Sequence, residues 1–361
     1  METEEQKPQM KTRKYAVCGV LTAVMLGMGL TGCGREQQKI DEGMQAVEKL
    51  DYTTAMTCFE EAILAGEDME LAYRGQGLCY LGQTDYENAI ESFTKALSNA
   101  GMFVSDTEID INYYLATAQY KSGDKKEALK TLDAIVGMRE KDAEAYFLRG
   151  MIKMESDDYE NAVADLDKAL TSSGQQIAMT IRVYQVFADN GHKDEGRSYL
   201  SAAIENRIDK MDDYEKGTIY YYMEDYQNAR DFLERAQSGG NDDLGTLLML
   251  GRTYERLGDS NYAASLYSKR IENGGENAEL YNQLGLCKLE NGEYEAALNA
   301  FNSGLAMEDN QAVLQQLRYN QIVAYEYTGN FEKAAALMNG YLETYPDDEQ
   351  AVREYEFLRT R

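Results

Sequence analysis

The sequence predicts an all-α chain, an α-solenoid of about nine helix-turn-helix repeats closed by a C-terminal capping helix. Three observations carry that prediction. The motif Asp51-Tyr52-x-x-Ala55-x-x-x-Phe59-x-x-Ala62 returns 34 residues later as Asp85-Tyr86-x-x-Ala89-x-x-x-Phe93-x-x-Ala96. In the same register a small residue recurs at Ala55, Ala89, Ala128, Ala162, Gly196, Ala229, Ala263, Ala297 and Ala334. A large apolar side chain stands four residues beyond each, from Phe59 through Leu132, Leu166 and Tyr267 to Met338, so small and large lie one helical turn apart on one face. Finally, only two of the 361 residues are proline, which argues against turn-rich β architectures, while 43% hydrophobic and 27% charged residues suit a globular chain with a sizeable core.

At the N-terminus, Lys11, Arg13 and Lys14 precede an uncharged run from Tyr15 to Gly34, the positive-then-apolar layout of an export signal. Met10, followed by Lys-Thr-Arg-Lys, is a more natural start for it than Met1. A membrane-spanning helix is the alternative reading of this run, and its five glycines weigh against it. The run closes on Leu30-Thr31-Gly32-Cys33, which resembles the lipobox of bacterial lipoproteins. That resemblance implies cleavage after Gly32 and a diacylglycerol on the Cys33 thiol. It divides the start of the chain into a signal peptide at 1–32 and an anchor with a short linker at 33–35, and it places the body outside the cytoplasm, on a membrane of a bacterial envelope. Cys58, Cys79 and Cys287 fall inside predicted helices without framework spacing and are read as core.

The repeats follow over 36–348. Twelve residues before the small position, six of the nine repeats carry glycine: Gly43, Gly77, Gly150, Gly217, Gly251 and Gly285. Glycine inside a helix costs about 1 kcal/mol relative to alanine, so its recurrence at one phase calls for a close approach of two backbones. Each repeat then reads as helix A, a turn such as Ser122-Gly123-Asp124 or Leu257-Gly258-Asp259, and helix B, with the glycine of A facing the alanine of B. Stacking on the next pair buries the faces left over. The fifth repeat departs from the pattern, with Tyr184 and Gly196 where glycine and alanine are expected. Five extra residues within Asn99 to Asp110, and Ser238-Gly239-Gly240 between the sixth and seventh repeats, read as longer surface loops or as hinges. After Asp348, the helical spacing of Val352, Tyr355 and Leu358 predicts a helix over 349–361 that caps the open end.

This unit resembles the tetratricopeptide repeat, most closely at Leu250-Gly251-x-x-Tyr254-x-x-x-Gly258-Asp259 and at Leu284-Gly285 with Gly292-x-Tyr294-x-x-Ala297. The family's early tryptophan is absent, and its repeat-ending proline survives only as Pro346. The resemblance implies a right-handed solenoid whose concave wall is lined by helix A. It selects as partner-binding residues Tyr113, Tyr120, Phe147, Met151, Tyr214, Tyr221, Tyr222, Arg252, Arg256, Tyr319 and Tyr327. Tyrosine and arginine dominate binding energy at protein interfaces, and methionine adds an adaptable apolar surface. The same rings also suit packing between neighbouring helices. Tyr220, Tyr221 and Tyr222 are consecutive, and the roughly 100° between helical neighbours keeps all three from one interface, so at least one is expected to be exposed. The lysine and asparagine clamp by which some members hold a terminal carboxylate is not reproduced, because Leu78 occupies one of its places.

Asp and Glu number 63 against 36 Lys and Arg, a net charge of −27 that excludes nucleic acid as a partner. The pairs Asp157-Asp158, Asp212-Asp213, Asp242-Asp243 and Asp347-Asp348 fall at turns and helix starts, where carboxylates cap free amides, and none has calcium-loop spacing. The sole histidine, His192, follows Gly191 in a turn, and no nucleophile, phosphate loop or cofactor motif accompanies it. The sequence therefore predicts no enzyme, metal or cofactor, but a lipid-anchored extracytoplasmic scaffold that binds a protein or peptide segment, basic or aromatic, near the membrane. A factor for envelope secretion or assembly and a binder of wall glycans or solutes are the alternatives, and the oligomeric state stays open.

Overall fold

The computed structural model describes residues 37–360 apart from 175, 309 and 347. The segment expected to be a signal peptide with its lipobox-like close at Cys33, and Asp347, lie outside the described residues. Among those described there are nineteen α-helices and no strand. Nine helix pairs succeed one another: α1 Gln38–Glu48 with α2 Tyr52–Ala65, α3 Met69–Gly82 with α4 Tyr86–Ser98, and α5 Asp106–Lys121 with α6 Lys125–Met138. Then come α7 Ala143–Met154 with α8 Tyr159–Ser172, α9 Ile177–Asp189 with α10 Lys193–Arg207, and α11 Asp213–Tyr222 with α12 Tyr226–Ser238. The last are α13 Leu244–Arg256 with α14 Ser260–Glu272, α15 Ala278–Glu290 with α16 Tyr294–Ala306, and α17 Leu314–Tyr327 with α18 Phe331–Thr344, before the single helix α19 Glu349–Leu358.

One turn geometry joins helix A to helix B in all nine pairs. Five residues before each small position the backbone enters the left-handed region, at Leu50, Thr84, Gly123, Asp157, Gly191, Glu224, Gly258, Gly292 and Gly329, with φ from 59° to 90°. The next residue returns its N–H to a carbonyl five positions back, as Asp51 does to Ala46 and Asn330 to Tyr325, at 2.8 to 3.0 Å throughout. This Schellman closure satisfies orphan carbonyls of helix A. The residue that closes one helix opens the next: Asp51, Asp85, Asp124, Asp225 and Asp259 each accept the N–H three residues on, a cap that contributes about 1 kcal/mol. Aspartate from the acidic pairs serves likewise at Asp212, Asp243 and Asp348.

The recurrent glycine does not chiefly face the alanine of helix B. It faces the large side chain one turn later. A Cβ on Gly43 would fall 2.7 Å from the Phe59 ring, one on Gly77 2.5 Å from Phe93, one on Gly251 2.2 Å from the Tyr267 hydroxyl, and one on Gly285 2.3 Å from Phe301. The alanine, fully buried at nearly every repeat, brings the backbones together and so aims the ring into the glycine notch. At Gly150 and Gly217 the backbone carbonyl of the alanine also lines the notch, at 3.1 and 3.2 Å.

In the fifth pair the arrangement is inverted. Tyr184 of α9 is buried, and the notch has moved to α10, where a Cβ on Gly196 would lie 2.7 Å from Phe187 Cβ and 3.1 Å from the Tyr184 carbonyl. The irregular pair thus puts an additional large side chain on helix A, and the glycine that makes room beside it sits on helix B.

The chain divides into two compact lobes that part between Tyr199 and Leu200, inside α10. In the first, a core runs from Ile109 to Phe187 through Leu132, Leu148 and Leu166. In the second, clusters centred on Tyr267, Phe301 and Met338 fill the successive pairs. Cys79 and Cys287 are buried and Cys58 is half-buried, all as free thiols. The five-residue insertion is confined to 99–105, since α5 already begins at Asp106. In α19 the buried residues are Ala351 and Leu358, whereas Val352 is 43% exposed and turns away from the face that its spacing assigned it.

Candidate functional site

The wall residues chosen from the sequence meet different fates in the two lobes. In the first, tyrosines act as ties between successive A helices. Tyr113 of α5 donates to Asp142, the N-cap of α7, at 2.5 Å, and burial together with that carboxylate pushes its phenol well above the ordinary tyrosine range. Tyr120 lies 2.8 and 3.0 Å from the two oxygens of Glu155, which also holds Lys125 at 3.1 Å. Phe147 and Met151 are 5% and 4% exposed, inside the core. The surface over Phe147 is taken by Arg182 of α9, whose guanidinium sits 3.8 Å above the ring while pairing with both oxygens of Glu144 at 2.6 and 2.7 Å. Arg74 likewise reaches from α3 to Asp110 of α5. Cations and rings of this wall are spoken for by the neighbouring repeat.

The second lobe brings four of the chosen residues together. Tyr221 and Tyr222, at the end of α11, meet edge to face at 5.5 Å, and Tyr221 meets Tyr226 at 5.6 Å. Arg256 of α13 donates from Nε to the Tyr226 hydroxyl at 2.9 Å and lies 5.3 Å from that ring. Burial raises the Tyr221 phenol, and the positive fields of Arg256 and Arg252 oppose the shift. Arg252 is held by Glu279 of α15 at 2.6 Å and keeps 37% of its side chain exposed. All three consecutive tyrosines are half-buried, so none is left out in solvent as expected. Tyr220 avoids that by stacking on Phe232 of α12 at 5.4 Å. Tyr214, two turns before Tyr221 on the same face of α11, is half-buried against the Leu233, Met249 and Leu250 cluster.

The remaining two choices lie on α17. Tyr319 accepts from Gln350 of α19 at 2.9 Å and meets Tyr341 at 5.8 Å, which ties it to the capping helix. Tyr327 is 46% exposed and stacks on Tyr294 at 5.1 Å. Tyr226 was not selected, because it opens helix B rather than lining helix A. Its signal was present nonetheless, as the tyrosine that follows the turn aspartate in Asp51-Tyr52, Asp85-Tyr86 and Asp225-Tyr226. The sole histidine, His192, rests 4.6 Å from the Tyr159 ring. No described helix is long and apolar enough to cross a membrane.

Comparison with known proteins agrees with this architecture. A tetratricopeptide repeat model matches residues 40–101, 113–177, 248–312 and 283–349, and another matches 214–238. The stretches left between matches hold 102–105 of the inserted loop, most of the fifth pair and the Gly239-Gly240 spacer. The BBSome complex member BBS4 of Bos taurus is 32% identical over 117 residues, 32% of this chain and 22% of that protein. A TPR repeat-containing protein of Methanocaldococcus jannaschii is 20% identical over 74% of this chain and 47% of its own length. The chain thus spans less than half of either relative. The crystal structure of a tetratricopeptide repeat protein from Parabacteroides merdae covers 80% of this chain and 98% of its own at 18% identity, with a TM-score of 0.46. With the repeat model matched over more than half of its residues, the chain belongs to the tetratricopeptide repeat family.

Proposed function

We infer that this protein is a lipid-anchored extracytoplasmic scaffold, held by a diacylglycerol on Cys33, whose second lobe binds a protein segment at Tyr221, Tyr222, Tyr226, Arg252 and Arg256. The observation that carries the binding site is the convergence of three half-buried phenol rings and two arginines from α11, α12 and α13. Rings packed on one another lose little further freedom on binding, and they present both apolar area and hydroxyl groups. The partner segment is aromatic or basic. Aromatic groups stack on the phenols, and basic ones are drawn by a chain of charge −27, so affinity falls as salt rises. The anchor rests on the Leu30-Thr31-Gly32-Cys33 motif behind an uncharged run.

Photo-crosslinking in living cells tests the site. A photoreactive residue at Tyr222 is expected to yield one abundant protein adduct, and one at Gln227, exposed on α12, none. The site is wrong if both positions give the same adducts or if Arg256→Ala leaves the Tyr222 adduct unchanged. Metabolic labelling with an alkyne fatty acid tests the anchor, and incorporation that survives Cys33→Ala refutes it.

A further inference from the structure

The most exposed of the large apolar side chains among the described residues gather at one edge of the first lobe. Met102, Phe103 and Val104, in the loop between α4 and α5, are 93%, 84% and 58% exposed, and Leu64 in the last turn of α2 is 87% exposed. No charge occurs from Ala96 to Ser105, although the chain carries one charged residue in about four. Three consecutive apolar residues held in water by an inserted loop call for an occupant, since scattered single residues would not.

The topology says what else lies at that edge. Helices α1, α3 and α5 are the A helices of successive repeats, so their N-termini share an edge with the turns that lead into them. Two contacts make this concrete: Glu67, in the turn before α3, accepts the N–H groups of Lys39 and Ile40 at the start of α1, at 3.3 and 3.2 Å. The field of Glu108, in the first turn of α5, acts on Glu70 in the first turn of α3. Asp106, at the start of α5, pairs with Arg139 after α6, which neutralises the charge nearest the loop. The first described residue, Gln37, therefore enters the fold at the edge that carries the apolar loop. Three residues separate it from Cys33, and the four steps between them reach roughly 14 Å at about 3.5 Å each.

We propose that Met102, Phe103 and Val104 insert into the lipid interface as a second membrane contact, with Leu64 beside it. This rests on the lipid anchor at Cys33. Acyl chains alone hold the body but leave it free to swing. An apolar loop at the same edge, reaching the boundary between headgroups and acyl chains, fixes the A-helix N-termini of the first lobe towards the bilayer. The uncharged sequence matters here, because an acidic body is repelled by anionic headgroups and only a neutral tip enters without that penalty.

The absence of tryptophan makes the test direct. Phe103→Trp and Gln83→Trp each give a protein with one indole, the second in the turn between α3 and α4 at the opposite edge. The full-length protein, processed in bacteria, is reconstituted into phosphatidylcholine vesicles, and emission is compared with and without brominated lipid. A blue shift and a roughly twofold loss of emission for Phe103→Trp, with neither for Gln83→Trp, is the expected result. If the protein floats with the vesicles but Phe103→Trp is not quenched, the loop contact is overturned while the anchor stands. If the protein does not float, the anchor fails and this contact falls with it. A concentration-dependent blue shift of Phe103→Trp without vesicles, matched by dimers in sedimentation, would assign the loop to a second copy and overturn the lipid contact.

Discussion

Thr84 occupies a backbone conformation that a β-branched residue adopts only under strain, with φ at 61°. Five of the nine equivalent positions carry glycine; Leu50, Asp157 and Glu224 share the strain of Thr84. The left-handed conformation costs an L-residue roughly 1–2 kcal/mol, partly offset by the greater freedom glycine loses on folding. Thr84→Gly is therefore expected to stabilise the protein by about 1 kcal/mol, and a midpoint in urea that fails to rise, at unchanged slope, contradicts this. The strain was not legible beforehand, because helix-turn-helix periodicity places the turn but glycine marks it only where glycine is present. The notch was half legible. Recurrence of Gly43, Gly77 and Gly251 at one phase demanded a close neighbour, but spacing alone could not choose between the alanine and the ring one turn beyond it, and the ring is the neighbour.

Pairs of helices set the next level. In the fifth pair the usual replacement of helical glycine by alanine, a gain of about 1 kcal/mol in an open helix, should reverse its sign. Gly196→Ala puts a methyl group against Phe187 Cβ and the Tyr184 carbonyl, neither of which can swing aside, and overpacking of that kind costs about 1–3 kcal/mol. A lowered melting temperature is expected, and a raised one would show that the notch is not filled. The capping helix offers a pH test. The carboxyl groups of Glu326 on α17 and Glu354 on α19 face each other, and burial, with Glu354 beside it, raises Glu326 from 4.5 to about 8. A raised pKa means that the folded state holds the proton more tightly. The stabilisation is complete below pH 4.5 and disappears as the pH passes through about 8. Glu326→Gln keeps a neutral hydrogen-bonding side chain and should flatten the fall in melting temperature between about pH 5 and about pH 9; an unchanged slope would place the titration elsewhere. Of the wall residues, the sequence told which lay on helix A but not which were consumed by neighbours. Tyr113, Phe147 and Tyr319 are claimed by Asp142, Arg182 and Gln350, all from a different helix, and such pairings are invisible to a pattern read along one repeat.

Across the whole molecule, two compact lobes and repeats that touch mainly their neighbours predict unfolding in more than one step. Gly285→Ala, which forces a Cβ to 2.3 Å from the Phe301 ring, should lower one calorimetric transition and leave another in place. A single transition that moves as a whole would show that the lobes unfold together. The inverted pair bears on something different, the ways in which such an array can be rearranged. Arrays of this kind lengthen and vary by duplication and recombination between similar units. A crossover at the joints between pairs transfers a matched glycine and ring together. A crossover inside the fifth pair would join Tyr184 to an alanine helix, or Gly196 to a glycine helix, giving one product with a clash and one with a void. The fifth pair can therefore be inherited only whole, and chimeras with their seam at His192 should fail where the same swap made at residue 176 succeeds.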